Sequence, residues 1–177
     1  PQPPSYNPSP ALRAPSSTLF LANLRAAPAH KSTKMAKPSE TFLIWQWNCR
    51  GFPSKKASLQ QYIRCSSEKP LVILLQETLT PNVTLTGYKP VSRYSDGQGV
   101  CTLVSNKLTH ISHDLKMATS SAEYVMTEIL PRSSDRSSIF FLNVYSSPKD
   151  RHQRFRALIK KAVNLAGPNS LVVAGGF

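Results

Sequence analysis

Glu77 stands where an unbroken apolar run ends, after Leu71-Val72-Ile73-Leu74-Leu75 and a single Gln76. Such a run suits a strand buried on both faces. A carboxylate is not buried unpaired inside one, which puts Glu77 at the C-terminal mouth. Open α/β sheets gather ligands at that edge, so Glu77 is a candidate metal or acid–base position. The ordinary alternative is a strand-ending glutamate, solvated or paired with a nearby lysine. Asn48 is the second such residue. It ends the run Phe42-Leu43-Ile44-Trp45-Gln46-Trp47 and opens the turn Asn48-Cys49-Arg50-Gly51. Tyr145 is the third, closing the run from Ser138. Its bland reading is a ring in the core with the hydroxyl in water.

The elements that position these groups follow from pattern. Between the Asn48 and Glu77 strands, Ser54 can cap a helix reaching about Arg64, with Leu59, Tyr62 and Ile63 at i, i+3 and i+4. Ser66-Ser67-Glu68-Lys69-Pro70 breaks it. A right-handed β–α–β crossover makes the two strands parallel, so Asn48 and Glu77 leave the sheet at one edge. Tyr88 to Tyr94 is ambiguous, Val100–Ser105 is a strand, and Gly97-Gln98-Gly99 between them is a hairpin-type turn. Those glycines lack the rest of either nucleotide fingerprint, and no small-molecule cofactor is expected. His110 and His113 read as surface residues rather than ligands. Glu123–Leu130 and Ser138–Tyr145 are strands, and the middle region should pair antiparallel. A helix follows from Asp150. Phe155, Leu158, Ile159, Ala162, Val163 and Ala166 form its apolar face, Arg151, Arg154, Arg156, Lys160 and Lys161 a solvated one, and Gly167-Pro168 its stop. Leu171-Val172-Val173-Ala174 begins a last buried strand.

Residues 1–40 differ from the rest. They hold eight of the 15 prolines, and their first acidic residue is Glu40. Too little apolar surface is available there to offset chain entropy, so this leader is expected to be disordered and residues 41–177 to form the domain. The first methionine, Met35, directly precedes the globular pattern and is the expected start of translation. The final apolar strand runs into Gly175-Gly176-Phe177 with no turn after it, which reads as a truncated domain.

Composition narrows the partners. The chain carries 22 Lys and Arg against 9 Asp and Glu, a formal net charge of +13. Polyanions are favoured, nucleic acid first and an anionic membrane surface second. No apolar run approaches the ~20 residues that cross a bilayer. Cys49, Cys65 and Cys101 form no C-x-x-C pair, so neither a zinc site nor a disulfide framework is indicated. Reduced thiols point to a nuclear or cytoplasmic protein that is not secreted.

Four segments in this order carry a resemblance: Trp47-Asn48-Cys49-Arg50-Gly51, Leu75-Gln76-Glu77-Thr78, Asn143-Val144-Tyr145-Ser146-Ser147-Pro148, and Val172-Val173-Ala174-Gly175-Gly176-Phe177. Together they resemble the endonuclease/exonuclease/phosphatase superfamily, and within it the apurinic-type endonuclease domain of non-LTR (LINE-type) retrotransposons. The resemblance spans Thr41 to the end. It implies an α/β fold, a four-layer α/β/β/α sandwich of which only the N-terminal part is present. It also implies Mg²⁺-dependent nicking of DNA by water, with Mn²⁺ as a substitute ion, leaving a 3′-hydroxyl that primes reverse transcription. By resemblance Glu77 ligates the metal, Asn48 lies by the metal or the attacking water, and Tyr145 donates to the scissile phosphate. The family's fourth motif is Gly-Asp-Phe-Asn. Here Gly176 stands at the Asp position, and the family's later Asp-His pair would fall beyond Phe177. The resemblance therefore implies a crippled enzyme, the alternative being a non-catalytic basic nucleic-acid-binding fragment.

Overall fold

A computed structural model of the chain describes residues 42–95, 97–117, 122–133, 136–146 and 153–176. The leader expected to be disordered, and the helix start expected at Asp150, lie outside those residues. In chain order the elements are β1 (Ile44–Asn48), α1 (Phe52–Cys65), β2 (Val72–Gln76), β3 (Tyr88–Arg93), β4 (Val100–Ser105), β5 (His110–His113), β6 (Glu123–Ile129), β7 (Ile139–Tyr145), α2 (Gln153–Ala166) and β8 (Ser170–Gly176). They form two four-stranded sheets, ordered β1-β2-β4-β3 and β5-β6-β7-β8. The β1–β2 and β7–β8 pairs are parallel and the others antiparallel.

Side-chain alternation on β2 generates the layers. Ile73 and Leu75 pack with Phe52, Leu59 and Ile63 of α1. Val72 and Leu74 pack with Ile129, Phe141 and Ala174 of the other sheet. That second sheet covers its outer face with Leu158, Ala162 and Ala166 of α2. Helix, sheet, sheet and helix are thus stacked with an apolar core at each junction, which is the four-layer sandwich the resemblance implies. Each fully buried Leu or Ile in these cores stabilises the fold by about 1.5–3 kcal/mol relative to exposure.

Local details differ from the pattern reading. Ser54 does not cap α1. The helix begins three residues earlier than that cap would set it, at Phe52 after Gly51 in the left-handed region (φ 106), and Ser54 Oγ donates to Gly51 O at 3.1 Å. Pro53 lies in the first turn, where a missing N–H costs nothing. The backbone N–H groups of Gly51 and Phe52 instead donate to Glu77 O and Thr78 O, each at 2.8 Å. The start of the helix is thereby tied to the exit of β2. On α2, Ile159 and Val163 are 37% and 51% exposed. They are off the buried row Leu158, Ala162, Ala166 by one residue, about 100° around the helix. Lys161 is not simply solvated, since its Nζ donates to Leu115 O (3.0 Å) and Lys116 O (2.9 Å). Tyr88–Arg93 resolves as an edge strand, the place a sheet tolerates Pro90. His113 Nε2 pairs with Glu128 Oε2 at 2.8 Å, and its ring meets Phe140.

The thiols report on this packing. Burial pushes the Cys49 thiol up to about 11 and the Cys101 thiol to about 12. Cys65 is exposed. At neutral pH a thiolate-seeking alkylating reagent is expected to label Cys65 alone in the folded protein, and all three residues in urea. Peptide mapping after alkylation reads this; labelling of Cys101 without denaturant contradicts the core.

Candidate active site

Parallel pairing sets Asn48 opposite Gln76, so Glu77 emerges one residue beyond, at the same edge. There Asn48 Nδ2 donates to Glu77 Oε1 at 2.7 Å. Tyr145 arrives from the other sheet. Burial first, then the charge of Glu77 and a hydrogen bond to it, raise the Tyr145 hydroxyl above its ordinary value, while Arg50 acts weakly the other way. The phenol therefore keeps its proton throughout the neutral range and remains a donor. The structure brings Asn48, Glu77 and Tyr145 together, with the exposed Arg50 beside them.

Backbone strain concentrates here. Four described residues other than glycine have positive φ, and Arg50 (45°), Glu77 (51°) and Leu79 (52°) are three of them. Each costs on the order of 1–3 kcal/mol and persists only where its surroundings dictate it. Cys49 N donates to Gln76 O, Gly51 N to Glu77 O, Thr78 N to Gly99 O and Leu79 N to Gln98 O, between 2.7 and 3.0 Å. The segment Gln76–Leu79 is thus laced to the β1–α1 turn, to the start of α1 and to the β3–β4 loop.

Beneath the site lies a buried amide pair joining the two sheets. Gln76 Nε2 donates to Asn143 Oδ1 at 2.6 Å, and Asn143 Nδ2 donates to Leu75 O (3.2 Å) and Cys101 O (3.0 Å). Sequence reasoning passed over Gln76, Asn143, Arg50 and Glu123 as site residues. A signal existed for Asn143, a lone polar residue inside Ile139–Val144, and for Arg50, two residues from Asn48. For Glu123 there was none.

Gly176 is the register partner of Tyr145 on β8. The position that holds an aspartate in the resembled motif does reach this edge, but without a carboxylate.

A hard cation fits the donors present. Glu77 offers carboxylate oxygens, and Asn48 Oδ1 is buried with no hydrogen-bond donor among the described residues. Mg²⁺ binds through one or two carboxylates and keeps several waters, so it needs no protein cage. Among the described residues no three His, Cys, Asp or Glu side chains cluster as a metal site.

Two solved structures share the architecture. The endonuclease domain of TRAS1, a telomere-specific non-LTR retrotransposon, matches with a TM-score of 0.55 and 19% identity, over 75% of this chain and 57% of that one. The 3′ phosphatase NExo from Neisseria, bound to a product DNA hairpin, matches with a TM-score of 0.50 and 16% identity, over 76% of this chain and 56% of that one. The chain thus spans little more than half the length of either. Its sequence matches no family model and no curated protein. Stacked sheets, outer helices and these structural counterparts together give the chain the endonuclease/exonuclease/phosphatase fold.

Proposed function

We propose that the chain carries the cation- and phosphate-binding part of a DNA-nicking site of the non-LTR retrotransposon type, with Mg²⁺ as its ion and Mn²⁺ as a substitute. The observation that carries this reading is the Asn48–Glu77 pair, 2.7 Å apart at the edge that Tyr145 also reaches. Glu77 and the donor-less Oδ1 of Asn48 would hold the ion. When bound, the ion neutralises negative charge developing on the phosphate and leaving oxygen. Asn48 Nδ2 fixes the Glu77 carboxylate. Tyr145, kept protonated, donates to a phosphate oxygen. Arg50 adds a cation at the same place, and the net charge of +13 holds the DNA backbone.

Gly176 weakens the catalytic side of this reading. On the β8 side of Tyr145, Gly176 offers no carboxylate to orient water or take its proton, and loss of such a group costs about 10²–10⁴ in rate. That absence favours a second reading, a basic DNA-binding module without catalysis.

Nicking of supercoiled plasmid by the full chain separates the two, run with Mg²⁺, Mn²⁺ or EDTA beside DNA binding at several salt concentrations. Slow nicking that EDTA abolishes, with affinity falling steeply as salt rises, is expected. Salt-dependent binding by folded protein without nicking selects the binding module. Absence of DNA affinity at low salt overturns both.

A further inference from the structure

Glu123 is a buried carboxylate near the site that the chemistry above leaves unused. It opens β6, is only 5% exposed, and is the cross-strand partner of Tyr145. Among the described residues no lysine or arginine forms an ion pair with it. Burying an unpaired charge is costly unless hydrogen bonds compensate. Among the described residues it accepts three hydrogen bonds, all from the loop joining β3 to β4. Ser95 N and Ser95 Oγ each donate to Oε1 at 2.7 Å, and Gly99 N donates to Oε2.

The same loop grips the metal-site segment. Gly99 O accepts from Thr78 N at 3.0 Å, and Gln98 O accepts from Leu79 N at 2.7 Å. Thr78 and Leu79 directly follow Glu77, and both Glu77 and Leu79 are held in the left-handed region. Gly99 is itself left-handed (φ 108), and a β-carbon there would collide with Thr78 Oγ1. The contact between loop and segment therefore has no slack.

We infer that Glu123 is a positioning residue, whose two carboxylate oxygens fix the loop bearing Ser95, Gln98 and Gly99, which in turn holds the strained Glu77–Leu79 segment so that Glu77 keeps its aim. The metal half of this inference rests on the proposed function; the clamp itself does not. A carboxylate is required because donors approach both oxygens. Glutamine at this position sets an NH₂ against one of them.

The test compares wild type, Glu123→Gln and Ser95→Ala by amide hydrogen exchange and by Mn²⁺ titration. Ser95→Ala removes only the exposed-side hydroxyl bond and keeps the test valid should Glu123→Gln fail to fold. In Glu123→Gln the Thr78 and Leu79 amides are expected to exchange about tenfold faster or more, while those of Met126 and Thr127 in β6 hold their protection. Ser95→Ala should move Thr78 and Leu79 the same way by less. Mn²⁺ affinity should fall in Glu123→Gln, by up to the roughly 10–100-fold lost when a direct outer partner of a metal ligand is removed. Unchanged exchange at Thr78 and Leu79 overturns the clamp, and so does equal acceleration at Met126 and Thr127, which marks a general structural role. Wild-type protein that binds no Mn²⁺ overturns the proposed function instead, and exchange alone then decides the clamp.

Discussion

Asn143→Leu is expected to cost the fold about 2–3 kcal/mol, because it strands a buried amide. Asn143 and Gln76 are both fully buried between the sheets. Among the described residues the Gln76 side chain bonds to Asn143 alone, at 2.6 Å, and its Oε1 already lacks a donor. Leucine fills much the same volume, so packing is little disturbed, while the Gln76 amide is left dry and unpartnered. A buried polar group in that state costs roughly 1–3 kcal/mol, and the carbonyls of Leu75 and Cys101 each lose a donor as well. Urea unfolding should show the midpoint falling by about 1 M. The double replacement Gln76→Leu with Asn143→Leu should recover most of the loss, since removing both partners deletes the demand together with the supply. A single variant within about 0.5 kcal/mol of wild type would mean that this bridge contributes nothing.

Glu77→Gln is expected to abolish specific cation binding while leaving the fold intact. Glutamine has the same shape and can still accept from Asn48 Nδ2, so stability should stay within about 0.5 kcal/mol of wild type. On the proposed function the ion would lose its one carboxylate. Outer-sphere partners of metal ligands are worth about 10–100-fold in affinity, and a direct ligand should exceed the top of that range. Mn²⁺ titration followed by water-proton relaxation reads the loss, and any plasmid nicking should drop to the EDTA background. DNA affinity at low salt should hold or rise, since a negative charge leaves the edge. A spectroscopic signature accompanies these effects. The charge of Glu77 helps to raise the Tyr145 hydroxyl, so its ionisation should move down towards the ordinary tyrosine range, burial retaining part of the shift. Undiminished Mn²⁺ affinity would place the ion elsewhere.

Much of the architecture was legible because local and global demands agree. The run Leu71–Leu75 suited a strand covered on both faces, and β2 has α1 on one side and the second sheet on the other. The β–α–β order required parallel pairing, which placed Asn48 and Glu77 at one edge, and they meet there at 2.7 Å. Helix α2 was legible as a helix but less so as a face. Leu158, Ala162 and Ala166 are buried, whereas Ile159 and Val163 are equally apolar and lie outside. Hydropathy cannot rank them, because small alanines at the contact let the helix approach and set its rotation.

What the sequence by itself determined was the set of elements, their alternation and the polar residues that end them, since each depends on a periodicity of a few residues. Tertiary structure decided what those residues touch. Glu123 looked like the first residue of an alternating strand, and its burial is set by donors 24 and 28 positions away. Asn143 reaches Gln76 across 67 positions and from another sheet. The left-handed backbone of Glu77 sits in a segment, Gln76–Leu79, that the β1–α1 turn, the start of α1 and the β3–β4 loop hold by hydrogen bonds. Such contacts form only once the layers close, so no local pattern in the chain can announce them.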